Sequence, residues 1–118
     1  MKKNTIYHLP SCGTCKKILT SLNTESCELR DIKQESISAP ELDRLAKLAG
    51  SFEALFSRKA IKYRTLGLKD KKLTEKDYRK FILSEYTFLK RPVIISGNKI
   101  FIGNAANQVD GAREALKK

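Results

Sequence analysis

The stretch Ile6-Tyr7-His8-Leu9-Pro10-Ser11-Cys12-Gly13-Thr14-Cys15 constrains this chain more than any other. β-Branched and aromatic residues make Asn4 to Leu9 a strand, and Pro10 with Ser11 ends it. From Gly13 to about Leu22 the pattern turns helical, with Ile18, Leu19 and Leu22 on one face. A C-x-x-C pair therefore sits at a strand-to-helix turn. Cys12 falls where the helix begins, and there unpaired amide N–H groups and the positive end of the helix dipole favour a thiolate. Cys15 lies one turn further on, within disulfide reach. One sulfur attacks and the other resolves. Lys16 and Lys17 add positive potential.

The remaining segments fill in the topology. Ser26 to Ile32 reads as a second strand, and two strands joined by a helix pair in parallel with a right-handed crossover. Ser38 and Glu41 form a capping-box pattern with Pro40 early in the helix; Leu42, Leu45, Ala46 and Ala49 follow at helical spacing until Gly50. Ser51 to Phe56 suggests a further short helix. Thr74 and Asp77 start another, with Tyr78, Phe81, Ile82 and Leu89 on its apolar side. Then the period returns to that of a strand at Val93-Ile94-Ile95. Gly97-Asn98 signals a hairpin turn into Lys99 to Ile102. Asn107 and Asp110 open a last helix carrying Val109, Ala112 and Leu116. The order β-α-β, helical block, β-β-α is that of an α/β thioredoxin-like fold. It predicts a mixed four-stranded sheet flanked by helices, in one domain over 1–118, with an inserted helical subdomain at about 36–88.

Composition narrows the function. The net charge is +11 over 118 residues. The cations are mostly lysines spread along the chain, and the Lys69, Lys71, Lys72 cluster is interrupted by Asp70, so no specific nucleic-acid partner is expected. An acidic protein or an anionic substrate would use the same charge. The apolar stretch after Lys2-Lys3 breaks at Pro10. A signal-peptide core needs roughly 7–15 apolar residues and a membrane span about 20. A soluble, cytoplasmic protein with no membrane partner is expected.

Alternatives attach to each residue type. A lone C-x-x-C is also half of a zinc site, but only Cys27 and His8 remain as further ligands. Cys27 begins the second strand, at the end of the sheet opposite Cys12; a strand of about five residues spans roughly 17 Å, too far to share a metal or a disulfide. No metal is expected, and Cys27 is read as a small buried thiol. His8 is either a strand residue with a satisfied imidazole or a support for the Cys12 thiolate. Arg91-Pro92 opens the third strand. A cis bond there would bring Arg91 toward the cysteine turn; a trans bond would leave an ordinary loop proline and a solvated arginine.

Three segments in order, IYHLPSCGTCKK, LFSRKAIKYRTLGL and KRPVIISGNKIFIGN, resemble the ArsC/Spx-like family over nearly the whole chain. The resemblance implies an oxidoreductase of the glutaredoxin-dependent arsenate reductase type. In such enzymes the first cysteine attacks arsenate, arginines hold the oxyanion, and glutathione with glutaredoxin completes the reduction. Cys12 matches the attacking cysteine, Arg58 and Arg91 two of the arginines, and His8 the histidine before the cysteine. The Arg-Pro bond of the family is cis, so Pro92 inherits that expectation. Substrate contacts then fall to Gly13, Thr14, Arg58, Arg91 and Pro92. No bound cofactor is expected. Glutathione with glutaredoxin, or thioredoxin, is the expected reductant of a small oxyanion or a protein disulfide. The chain departs from the arsenate reductases at two places. Lys99-Ile100-Phe101-Ile102 carries no third arginine, and Cys15 supplies a second cysteine. The C-x-x-C form looks more like Spx, a redox-sensing transcriptional regulator that binds RNA polymerase, which makes RNA polymerase the partner implied by that alternative.

Overall fold

The computed structural model describes residues 4–117. Among them the elements run β1 (Asn4–His8), α1 (Gly13–Thr20), β2 (Cys27–Asp31), α2 (Ala39–Ala49), α3 (Ile61–Thr65), α4 (Glu75–Ser84), β3 (Val93–Ser96), β4 (Lys99–Ile102) and α5 (Ala106–Ala115). Single 3-10 turns lie at Glu53–Leu55, Leu68–Asp70 and Tyr86–Phe88. The four strands form one mixed sheet in the order β2-β1-β3-β4. β1 is parallel to β2 and antiparallel to β3, and β3 is antiparallel to β4. The fold is the expected α/β thioredoxin-like one.

The chain divides into two compact units: the described residues up to Glu35 together with those from Arg91 onward, and Ser36–Lys90. The first is the sheet unit. Ile6 and Ile94 are register partners at its centre. They pack in one buried cluster with Ile18 and Leu22 after β1 and with Ala112 and Leu116 near the chain end. That apolar burial, at roughly 1.5–3 kcal/mol for each fully buried side chain, fixes α1 and α5 against the sheet.

The second unit is helical. α2 starts at Ser38, whose hydroxyl accepts from the Glu41 N–H while the Glu41 carboxylate accepts from the Ser38 N–H. It stops at Gly50, whose φ of 97° is the left-handed cap that glycine adopts without strain. α4 starts with the same reciprocal pair between Thr74 and Asp77. A cluster of rings fills the interior: Phe56 stacks on Phe88 with centroids 5.1 Å apart and meets Tyr78 at 4.9 Å.

Several boundaries differ from the sequence expectations. α1 ends at Thr20 rather than Leu22, because Ser21 turns the chain with its hydroxyl on the Ile18 carbonyl. The helix expected over residues 51–56 is one 3-10 turn, Glu53–Leu55. Leu89 lies beyond α4, bridged antiparallel to Phe56. α5 begins at Ala106. No described helix is long and apolar enough to cross a membrane.

Candidate functional site

The turn after β1 is built from backbone outward. The Cys12 N–H donates to the Leu9 carbonyl at 2.9 Å and closes the turn. Cys12 is the N-cap of α1 with extended φ and ψ of −86° and 115°, and its carbonyl accepts the first helical bond from Lys16 at 3.1 Å. The cysteine therefore occupies the position where the helix presents its unpaired N–H groups.

The two thiols are driven in opposite directions. Cys12 is half-exposed and Cys15 fully buried, and both are reduced. The Cys12 side chain makes no hydrogen bond of ideal capping geometry. Even so, the Cys15 amide, then the Cys15 thiol, the Thr14 amide and the charge of Arg91 favour its thiolate. Together they outweigh burial and hold the group below the ordinary thiol value of 9.0. Burial acts most strongly on Cys15 and pushes it up to about 11, against the pull of the Leu9 backbone. A negative charge on Cys12 raises Cys15 further. At neutral pH the first sulfur is the more acidic and the second keeps its proton.

Arg91 and Pro92 enter from the start of β3. The Arg91–Pro92 bond is cis. The Arg91 guanidinium lies near enough to the turn to favour the anionic form of both cysteines. His8 ends β1, opposite Asp31 of β2. Its Nδ1 is buried and has no hydrogen-bond partner. Desolvation lowers its pKa below 6.5, against the attraction of Asp31, so the imidazole is neutral at pH 7. Neutral His8 is not among the groups that acidify Cys12. Cys27 is buried and pairs in register with Asn4, at the end of β1 away from the cysteine turn.

The sequence model of the ArsC family matches residues 7–112. The chain belongs to the ArsC family. It is 30% identical over 111 residues to YusI, an uncharacterized protein of Bacillus subtilis (strain 168), covering 90% of this chain and 94% of that one. It is 30% identical over 100 residues to the arsenate reductase of Escherichia coli (strain K12), covering 81% of this chain and 70% of the reductase. The solved arsenate reductase of Vibrio cholerae has the same fold, with a TM-score of 0.74 at 23% identity over 96% of this chain and 97% of that one. ArsC-family membership supports a thiol redox protein of the oxidoreductase class.

The other arginine of the ArsC resemblance, Arg58, lies in the helical unit. Its Nη2 donates to the Glu53 carboxylate at 2.8 Å and to the Tyr78 hydroxyl at 3.0 Å. Its guanidinium lies over the rings of Tyr78 and Phe56, at 5.7 and 6.0 Å. The Glu53 carboxylate, above all, stabilises its charge. Sequence reasoning missed Glu53 and Tyr78, and also Arg30, which reaches over the Tyr7 ring and pairs with Glu35 at 3.3 Å. The sequence signal that could have found them is weak. Tyr78 follows Arg58 by 20 positions and reads only as an apolar helix residue.

Proposed function

We propose that this ArsC-family chain is a thiol-disulfide redox protein in which Cys12 is the nucleophile and Cys15 the resolving thiol. The observation that carries the reading is the opposition of the two sulfurs, one acidified at a helix start and the other buried and protonated one turn on. With a disulfide substrate, the Cys12 thiolate attacks one sulfur, forms a mixed disulfide and expels the other sulfur as a thiolate. Cys15 then loses its proton, attacks Cys12 Sγ and releases the remaining substrate thiol. The products are a Cys12–Cys15 disulfide and a substrate reduced by two electrons. Formation of the mixed disulfide removes the Cys12 charge that opposes ionisation of Cys15, so resolution is favoured only after attack.

With arsenate the same pair suffices. Cys12 displaces hydroxide from As(V), and attack of Cys15 on Cys12 Sγ leaves the electron pair on arsenic as As(III). Amides of Gly13 and Thr14 at the helix start, together with Arg91 and the backbone at Pro92, are the proposed oxyanion contacts. His8, at the end of β1 that leads into the cysteine turn, is proposed to support the Cys12 site. Glutathione with glutaredoxin, or thioredoxin, reduces the resulting disulfide. Cys15 also supports a second reading, an Spx-like switch on RNA polymerase, in which the same disulfide alters binding.

Iodoacetamide labelling across pH, followed by mass spectrometry, tests the reading. Cys12 should label with a midpoint below 9.0, and Cys15 should stay unlabelled until the pH approaches about 11. Cys12→Ser should abolish the fast thiol. Cys15→Ser should keep it but leave it trapped in mixed disulfides. A fast Cys27, or a Cys12 no faster than an ordinary thiol, would overturn the assignment. Arsenate, a protein disulfide with glutaredoxin or thioredoxin, and an RNA polymerase pull-down then separate the enzymatic and regulatory forms.

A further inference from the structure

The helical unit carries a surface that the thiol chemistry does not use. Ile61 is 72% exposed and Leu66 is 48% exposed; with Leu29 they are the exposed large apolar residues among the described ones. Ile61 opens the single turn of α3 and Leu66 follows it. The fold does not need them there, because the segment is already anchored by other side chains. Ala60 and Leu68 are buried, and Tyr63 turns inward, edge-on to Phe56 at 6.0 Å. Gly67, at φ 64°, turns the chain between them. Exposed together on one anchored segment, the apolar side chains of Ile61 and Leu66 are available to a partner.

The segment that carries these two residues is strongly cationic. Lys59, Lys62, Arg64, Lys69, Lys71 and Lys72 are all exposed across 59–72, against Asp70 alone. Lys62 pairs with Glu85 at 3.0 Å. The other five cations are in no ion pair among the described residues. Exposed apolar residues on a segment of unpaired cations complement an acidic surface with an apolar pocket.

We infer that α3 and the Leu68–Asp70 turn after it form a docking surface for an acidic protein, with Ile61 as the apolar anchor and the segment's lysines and Arg64 as the steering charges. The same charges would attract other polyanions, but the surface lacks what those need. Single-stranded nucleic acid is held by stacking on exposed rings, and the one ring of this segment, Tyr63, is spent on Phe56. An anionic membrane is bound by a long amphipathic helix, and α3 spans five residues.

The test uses the full chain, isotope-labelled for NMR, and four probes. These are a synthetic acidic helical peptide with a leucine stripe, poly-glutamate, a single-stranded oligonucleotide and anionic phospholipid vesicles. The acidic peptide should shift amides of 59–72 and saturate. Its affinity should fall about tenfold with Ile61→Ser, as expected for losing a buried aliphatic anchor. A Lys71→Glu/Lys72→Glu variant should weaken it and flatten its salt dependence. Neither variant should move the Cys12 labelling profile, so failure here is separable from failure of the thiol assignment. The inference is overturned if the peptide leaves 59–72 unshifted. It is equally overturned if poly-glutamate binds as well as the peptide and is indifferent to Ile61→Ser, or if the oligonucleotide or the vesicles bind this segment more tightly.

Discussion

The sheet unit and the helical unit hold their functional residues by different means. In the sheet unit the backbone does the placing. β1 is paired on both sides, so the turn carrying Cys12 inherits its position from two ladders of main-chain bonds. In the helical unit the strand-type pairing is a single bridge, Phe56 to Leu89. Side chains take over: two capping boxes, the Glu75 carboxylate accepting from the amides of Phe52 and Glu53 at 2.6 and 3.1 Å, and a cluster of rings around Phe56. Cys12 is tuned mainly by amides, whereas Arg58 is held by a carboxylate, a phenol and two ring faces. A site built on main-chain groups tolerates side-chain changes away from itself. A unit built on side chains does not.

The largest expected effect follows from that contrast. Phe56 is fully buried and touches the rings of Tyr63, Tyr78, Phe81 and Phe88. Phe56→Ala should cost about 3–5 kcal/mol, the range for removing a core aromatic ring. Hydrogen exchange should show lost protection across Ser36–Lys90 while the β1 and β3 amides stay protected and the Cys12 labelling curve stays put. If β1 loses protection to the same extent, the two units melt as one and the contrast breaks.

A smaller effect is expected inside the sheet unit. A Cβ built on Gly111 would lie 2.7 Å from Cε1 of Phe101. Overpacking costs about 1–3 kcal/mol, while replacing a mid-helix glycine gains close to 1 kcal/mol of helix propensity. Phe101 is only half-buried, so its ring can yield in part. Gly111→Ala should therefore destabilise by on the order of 1 kcal/mol, read as a urea midpoint. Adding Phe101→Leu should reverse the sign of the Gly111→Ala effect. A Gly111→Ala protein more stable than the parent would show that β4 and α5 are packed loosely.

What was legible in the sequence follows the same division. The strands, the cysteine turn and the hairpin are local patterns, and each is written within a few neighbouring residues. Ser38 with Glu41 and Thr74 with Asp77 are equally local, and both form the capping boxes their spacing predicts. α3 was not legible, because a single turn rich in lysine and arginine shows no apolar period. The start of α5 was misplaced for a physical reason. Its N-cap is Ala105, which has no side-chain oxygen, and the Gln108 side chain accepts from the Ile102 N–H instead of acting within the helix. In the site, the opposed acidities of Cys12 and Cys15 could be anticipated from their places on the helix. The buried, unpartnered Nδ1 of His8 and the clasp of Arg58 by Glu53 and Tyr78 depend on tertiary neighbours and left no local trace.

The smallest expected effect comes from the most conspicuous surface contact of the helical unit. Arg79 on α4 forks onto Asp43 on α2, Nε to Oδ1 at 2.8 Å and Nη2 to Oδ2 at 3.2 Å. The geometry is bidentate, which favours a net gain. Exposure works against it, since water and salt screen both charges and ordering two long side chains costs entropy. Arg79 holds the Asp43 carboxyl below its ordinary value, so whatever stability the pair supplies is present above the normal carboxylate range. That stability is lost as the pH falls through the lowered pKa. Arg79→Ala should thus move the urea midpoint less than Gly111→Ala does. The difference should shrink in 1 M salt, where the screening length falls to about 3 Å, and should vanish in strong acid. A loss exceeding that of Gly111→Ala and insensitive to salt would mean that the pair acts by packing the arginine stem between α2 and α4, and the helical unit would then owe its order to its surface as much as to its rings.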